Sequence, residues 1–243
     1  MEDVFNTDRP LLFSIAYRML GSAFDADDVL QDAWLRYSGA DPSTVRSPIA
    51  FATTIVTRLC LDRLKSARVK REEYVGEWLP EPVLTSEFAG PDTMLQRAES
   101  VTLATGRRRV TGTPESRRTM AERFARALSS GDASELTALL ASDVGFWVDG
   151  GGKVTAILHP VTGREPVVDI LTEIHRRAVR AGVMHAASAS IESVNFEPAI
   201  VARLNGKVVS LFVLETDGDA ISAIRVIRNP DKLARLSRHL SAH

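Results

Sequence analysis

The sequence predicts two domains, an all-α domain over residues 1–74 and an α+β cone over 113–243, joined by a linker over 75–112. Three observations carry this. Apolar residues keep a helical spacing from Leu11 to Leu59. From Tyr74 the string EYVGEWLPEPVLTSEFAGPD is rich in Pro, Glu and turn formers and keeps no period. Beyond Gly145 the spacing shortens to that of strands, with Asn205-Gly206 and Gly218-Asp219 as turns. A length of 243 residues suits two small domains. The single cysteine, Cys60, rules out an internal disulfide and a Cys-based zinc site, and it reads as a small buried hydrophobe. MEDVFNTDRP has no basic start followed by an apolar run, so it is not a signal peptide. No stretch approaches the ~20 apolar residues needed to span a bilayer. A cytoplasmic protein with no membrane partner is expected.

Pro10 to Gly21 reads as a helix, with Leu11, Leu12, Ile15, Ala16, Met19 and Leu20 as its stripe and Gly21 as its stop. A second helix is expected to start at Asp25 as N-cap, with Asp27 and Asp28 in a first turn that favours acids. It runs through Val29, Leu30, Ala33, Trp34 and Tyr37. Asp28 and Asp32 stand four apart and share a face, beside Gln31 and Trp34. Like charges at that spacing cost a few tenths of a kcal/mol, roughly, so helix stability does not account for them. Either this face awaits a basic partner or it is simply solvated. Gly39 to Pro48 is a loop. Pro48 then opens a third helix, with Phe51, Ile55 and Leu59 on one face and Ile49, Val56 and Cys60 beside them. From Arg58 the other face is basic: Arg58, Arg63, Lys65, Arg68, Lys70 and Arg71 against one acid, Asp62, leave +5 in fourteen residues of a chain whose net charge is −1. Such a stripe is an electrostatic footprint for nucleic acid, although a solvated face carries the same pattern. Phe51 and Trp34 read as core aromatics.

AYRMLGSAFDADDVLQDAWLRY followed by FATTIVTRLCLDRLKSARVKREEY resembles region 2 of a bacterial sigma factor of the extracytoplasmic-function group, over about Phe5 to Tyr74. The resemblance implies that Asp28, Gln31, Asp32 and Trp34 bind the coiled coil of the β′ subunit of core RNA polymerase. It implies that Arg58, Arg63, Lys65, Arg68, Lys70 and Arg71, with the loop before them, melt and hold the −10 element of promoter DNA. Promoter opening needs phosphate neutralisation and a pocket for a flipped base on single-stranded DNA. Many members carry Asn at the position of Arg58, which leaves base readout there open.

WLPEPV, Trp78 to Val83, is similar to the linker of a sigma subgroup whose members end in a SnoaL-like domain. There the linker leads into region 4, a helix-turn-helix. Here LQRAESVTLA, after Met94, looks like the first turns of region 4 and passes straight to TGRRRV, with Arg107 to Arg109 like the tail of a deleted domain. About twenty residues between Pro91 and Thr113 cannot hold a helix-turn-helix, so region 4 is expected to be missing, lost or removed.

Pro114 to Ser129 reads as a helix ended by Gly131, and Asp132 caps the next, whose apolar side is Leu136, Leu139 and Leu140. GFWVDGGG reads as a strand closed by a glycine turn, KVTAIL as another strand and Gly163 to Ala181 as a helix. Strands follow at His185–Val194, Ala199–Leu204, Lys207–Thr216 and Asp219–Arg228. Helices before a curved antiparallel sheet give an α+β cone. This resembles the SnoaL-like, ketosteroid-isomerase-like fold.

That fold often encloses a pocket, so Asp143, Asp149, His159, Glu165, His175 and His185 are weighed as acid–base groups. No pair has diagnostic spacing. His175, beside Arg176 and Arg177, is expected to be exposed, and His159 suits a pocket rim. DGGGK lacks P-loop spacing and no metal-ligand spacing stands out. No enzyme, catalytic residue, cofactor or metal is expected. DGGGK (Asp149–Lys153) and NPDKL (Asn229–Leu233) match motifs of the same sigma subgroup, where the C-terminal domain packs against the linker and sigma core and tunes activity in cis. The resemblance makes Trp78, Pro80, Asp149, Gly151, Lys153, Asn229, Pro230, Asp231 and Lys232 regulatory interdomain positions. By their residues alone, DGGGK is a turn, and NPDKL a helix start with Asn229 as cap and Pro230 first.

The resulting reading is a sigma-factor-like transcription initiation protein regulated by a SnoaL-like domain. Its partners are core RNA polymerase and promoter DNA, with a small-molecule ligand of the C-terminal domain as a further candidate. The alternatives are a co-regulator that docks on polymerase without choosing promoters, and a small-molecule enzyme or ligand sensor built on the cone.

Overall fold

The structure is a computed structural model that describes residues 3–41, 45–72, 74–88 and 112–241, with side chains for all of these except 3 and 66–72. The chain divides into two compact units, 1–73 with 83–106 and 74–82 with 107–243. The stretch expected to be a separate linker is therefore shared between them. The expected remnant of region 4, from Met94 to Arg109, lies outside the described residues.

The first unit is helical: α1 (Asp3–Thr7), α2 (Arg9–Leu20), α3 (Ala23–Ser38) and α4 (Pro48–Glu72). Gly21 ends α2 at φ 67°, a left-handed conformation that glycine adopts without strain. The cap of α3 is Ser22, not Asp25: Ser22 Oγ accepts from Asp25 N–H at 3.1 Å, which puts Asp25 inside the first turn. Helices α2, α3 and α4 each touch the other two. They bury Leu12, Phe13, Tyr17, Val29, Tyr37 and Val56. Phe88, from beyond the other unit's share of the linker, stacks obliquely on Phe13 and Tyr17, with ring centroids 6.0 and 5.8 Å away. Cys60 is fully buried, and burial pushes its thiol up to about 11, so it behaves as a hydrophobe.

The second unit holds α5 (Pro114–Ser130), α6 (Ala133–Leu139), β1 (Leu140–Asp149), β2 (Val161–Thr162), α7 (Arg164–Arg180), β3 (Ala187–Val194), β4 (Glu197–Leu204), β5 (Lys207–Asp217), β6 (Ala220–Ile227) and α8 (Pro230–Ser241). Thr113 and Asp132 cap α5 and α6 by accepting from the backbone N–H groups of Ser116 and Glu135, at 3.2 and 3.0 Å. The sheet order is β2-β1-β6-β5-β4-β3. It is mixed rather than antiparallel throughout, because β1 pairs with β6 in parallel. The two strands lie far apart in sequence, so no turn between them sets their relative direction. Register shifts in the β1–β6, β4–β5 and β5–β6 pairs mark irregularities of the kind that bend a sheet. One core joins Phe124, Leu136, Leu139, Phe146, Leu171 and Phe212.

Two further expectations are corrected. Leu140 is the first residue of β1 rather than part of α6. KVTAIL is no strand: the chain leaves β1 through Gly151 and Gly152, at φ 60° and 69°, and pairs again only at Val161. Asn205 and Gly206 both take positive φ, as a two-residue hairpin of this type requires. Among the described residues, no helix is long and apolar enough to cross a membrane.

Candidate functional site

On α3, the first two turns face α4. Arg63 Nε donates to Asp25 Oδ1 at 3.1 Å, and its Nη2 donates to Asp28 Oδ2 at 2.6 Å. Two residues assigned above to different partners, Asp28 to polymerase and Arg63 to DNA, thus neutralise each other in the free protein. One turn on, the face is open. Gln31 and Asp32 are exposed and make no hydrogen bond or ion pair among the described residues. Trp34 is 43% exposed, which corrects the expectation of a core role, and Leu35 beside it is 62% exposed. Gln31, Trp34 and Leu35 line a cleft of about 400 Å³ with Phe5, Arg9 and Leu30. The neighbouring α4 keeps Phe51 against Tyr37, with ring centroids 5.8 Å apart.

Along α4, Arg58 is exposed and engages no acid among the described residues. Lys65 makes an exposed pair with Asp62 at 3.4 Å, a geometry worth little in water. The side chains of Arg68, Lys70 and Arg71 lie outside the described residues.

In the second unit, the two motifs and the linker meet at one carboxylate. Asp149, at the end of β1, is 0% exposed. Its Oδ1 accepts from the Tyr74 hydroxyl at 2.6 Å. Its Oδ2 accepts from Leu79 N–H at 2.9 Å and from Lys232 Nζ at 2.6 Å. Its backbone carbonyl accepts from the N–H groups of Arg228 and Asn229. Lys232 also donates to the Leu79 carbonyl oxygen and lies over the rings of Trp78 and Tyr74, 4.4 and 4.9 Å from their centroids. Asn229 Nδ2 donates to the Tyr74 oxygen at 2.8 Å, while Asn229 Oδ1 caps α8 by accepting from Asp231 N–H at 3.0 Å. Lys153 and Asp231 close the rim with an ion pair. A Cβ at Gly151 would lie 2.3 Å from Asn229 Nδ2, so only glycine fits there. Pro80 follows Leu79 at half burial. Burial, and then the bond to Asp149, raise the Tyr74 phenol well above its usual range. Tyr74 is the member that sequence reasoning missed, since nothing local marks a lone tyrosine before a linker.

Of the acid–base candidates, Asp143, His159, Glu165 and His185 are exposed, Asp149 is spent in this clasp, and none of the six lines the cone's cavity. His175 is half-buried rather than exposed. Its Nδ1 is buried with no hydrogen-bond partner among the described residues, and its ring fills the space a side chain at Gly131 would need.

Residues 4–69 match the family described as Sigma-70 region 2. The match runs nearly end to end over the four helices of the first unit. Over 81 residues the chain is 49% identical to the ECF RNA polymerase sigma factor SigJ of Mycobacterium tuberculosis, covering 33% of this chain and 26% of that protein. Over 62 residues it is 42% identical to the ferric citrate uptake sigma factor FecI of Escherichia coli, covering 25% of this chain and 36% of that protein. The chain thus spans well under two thirds of the length of these curated relatives. The crystal structure of M. tuberculosis SigJ aligns with 96% of this chain and 98% of its own, with a TM-score of 0.69 at 25% identity. The helical unit and the α+β cone thus have the folds seen in that extracytoplasmic function sigma factor.

Proposed function

We propose that this protein is a transcription initiation factor whose region 2 binds core RNA polymerase and the −10 region of promoter DNA, under regulation by its SnoaL-like cone. The open face of α3 carries the reading. Gln31, Asp32 and Trp34 sit on a helix of the matching family, exposed and without partners among the described residues. Asp32 offers a carboxylate to a basic coiled coil, and Trp34 offers an aromatic anchor of the kind that dominates interfaces. Arg58 and Lys65 supply free or weakly held positive charge for phosphates. Such a factor works in the cytoplasm. Regulation through the cone is supported by the clasp, which fastens Tyr74, Trp78 and Leu79 onto the C-terminal unit.

The test is retention of core RNA polymerase by the immobilised chain, against an Asp32→Arg, Trp34→Ala double variant. These positions are chosen because Asp28→Arg would also break the pair with Arg63. The intact chain retains polymerase and the variant loses at least about tenfold, or roughly 1.4 kcal/mol. Equal retention, or none by either, overturns the assignment. Footprinting then separates initiation from co-regulation, since only an initiation factor protects a −10 region with core polymerase present.

A further inference from the structure

The cone contains a cavity of about 590 Å³ that neither the clasp nor region 2 uses. That volume falls within the roughly 300–1,000 Å³ typical of small-molecule sites. Its body is apolar, built from Phe146 and Val148 of β1, Ile157 of the following loop, Ile170 of α7, Phe212 of β5 and Val226 of β6. Its polar groups are few and unevenly satisfied. Ser210 is 9% exposed and its hydroxyl makes no hydrogen bond among the described residues. Arg228 is half-buried, donates one bond at 2.7 Å to the Thr155 carbonyl oxygen and forms no ion pair among the described residues. Burial alone lowers its pKa, which marks a cation that lacks a compensating charge. Elsewhere in the lining, Glu173 accepts from Arg176, Arg177 and Arg180 at 3.2, 3.0 and 2.6 Å, which neutralises it, whereas Asp169, exposed on α7, forms no ion pair among the described residues.

We propose that this cavity binds a monocarboxylate with an extended apolar body. The body lies against Phe146, Ile157, Phe212 and Val226, the carboxylate pairs with the Arg228 guanidinium, and Ser210 donates to the bound acid. A guanidinium suits this role because its fork of donors matches a carboxylate and it keeps its charge. The site also lies next to the clasp in the chain: Arg228 precedes Asn229, and both backbone N–H groups bond the Asp149 carbonyl. This inference is independent of polymerase binding.

The test is isothermal titration of the full chain with octanoate and with 1-octanol, which share an apolar body and differ in charge. Octanoate is expected to bind saturably at one site, about tenfold more tightly than 1-octanol. Arg228→Gln lowers octanoate affinity about tenfold and leaves 1-octanol unchanged, while Arg228→Lys retains part of the preference. The absence of saturable octanoate binding, equal affinity for both probes, or unchanged octanoate binding in a folded Arg228→Gln variant overturns the proposal. Should that variant not fold, the two probes on the unaltered chain decide the matter alone.

Discussion

The outer face of α3 and the clasp at Asp149 treat polar groups in opposite ways. On α3, Gln31, Asp32 and Trp34 stand in water with nothing from the described chain bound to them. At the clasp, both carboxylate oxygens of Asp149 are filled, and the charge opposite, Lys232, has a side chain only 12% exposed. A free polar face contributes little to folding and is available to a partner. A saturated buried network contributes to folding and changes only when it is broken. The molecule therefore carries both a polar face left open to solvent and a polar network that holds the fold. Within region 2, the Asp25–Arg63–Asp28 cluster lies between these extremes, with the three side chains 30 to 34% exposed.

The sharpest way to break this contrast is Lys232→Met. It leaves a buried carboxylate without its counter-charge, and the cone is expected to lose about 3–5 kcal/mol in denaturant unfolding. A loss below about 1 kcal/mol would place Asp149 in effective contact with water and abolish the distinction. Gly151→Ala comes next. Its φ of +60° and the 2.3 Å approach to Asn229 predict a loss of about 1–3 kcal/mol by the same measurement. Arg63→Ala should cost about 1 kcal/mol, as a half-exposed pair does. Lys65→Ala should change stability by less than about 0.5 kcal/mol while weakening DNA binding in a salt-dependent way. That combination identifies a residue whose work lies outside the fold.

Tyr74→Phe sharpens the comparison through pH. An unfolded tyrosine loses its proton near 10, whereas in the clasp burial and the bond donated to Asp149 hold the proton well above that. Above pH 10 the unfolded chain thus binds fewer protons than the folded one, so stability falls as pH rises, and the contribution is fully present below 10. Thermal unfolding of the unaltered chain should decline more steeply above that pH than unfolding of Tyr74→Phe. Parallel profiles would show that the Tyr74 hydroxyl is not held as described.

Much of this was legible in the sequence, for a local reason. Helix stripes, the stop at Gly21, the caps at Asp132 and Asn229, and the Asn205-Gly206 turn each depend on residues within a few positions of one another, and the structure contains them all. Local reasoning failed where two local solutions compete, as when Ser22 rather than Asp25 capped α3. It failed again where a strand-like string, KVTAIL, found no strand to pair with. Region 2 was readable because its motif residues fall on two consecutive helices. What tertiary structure alone decided are the pairings between distant positions. The parallel alignment of β1 with β6, the neutralisation of Asp28 by Arg63, and the gathering of Tyr74, Leu79 and Lys232 on Asp149 all join residues 35 to 83 positions apart. Such pairings are set by how whole elements pack, and a buried charge takes whichever partner that packing brings within reach.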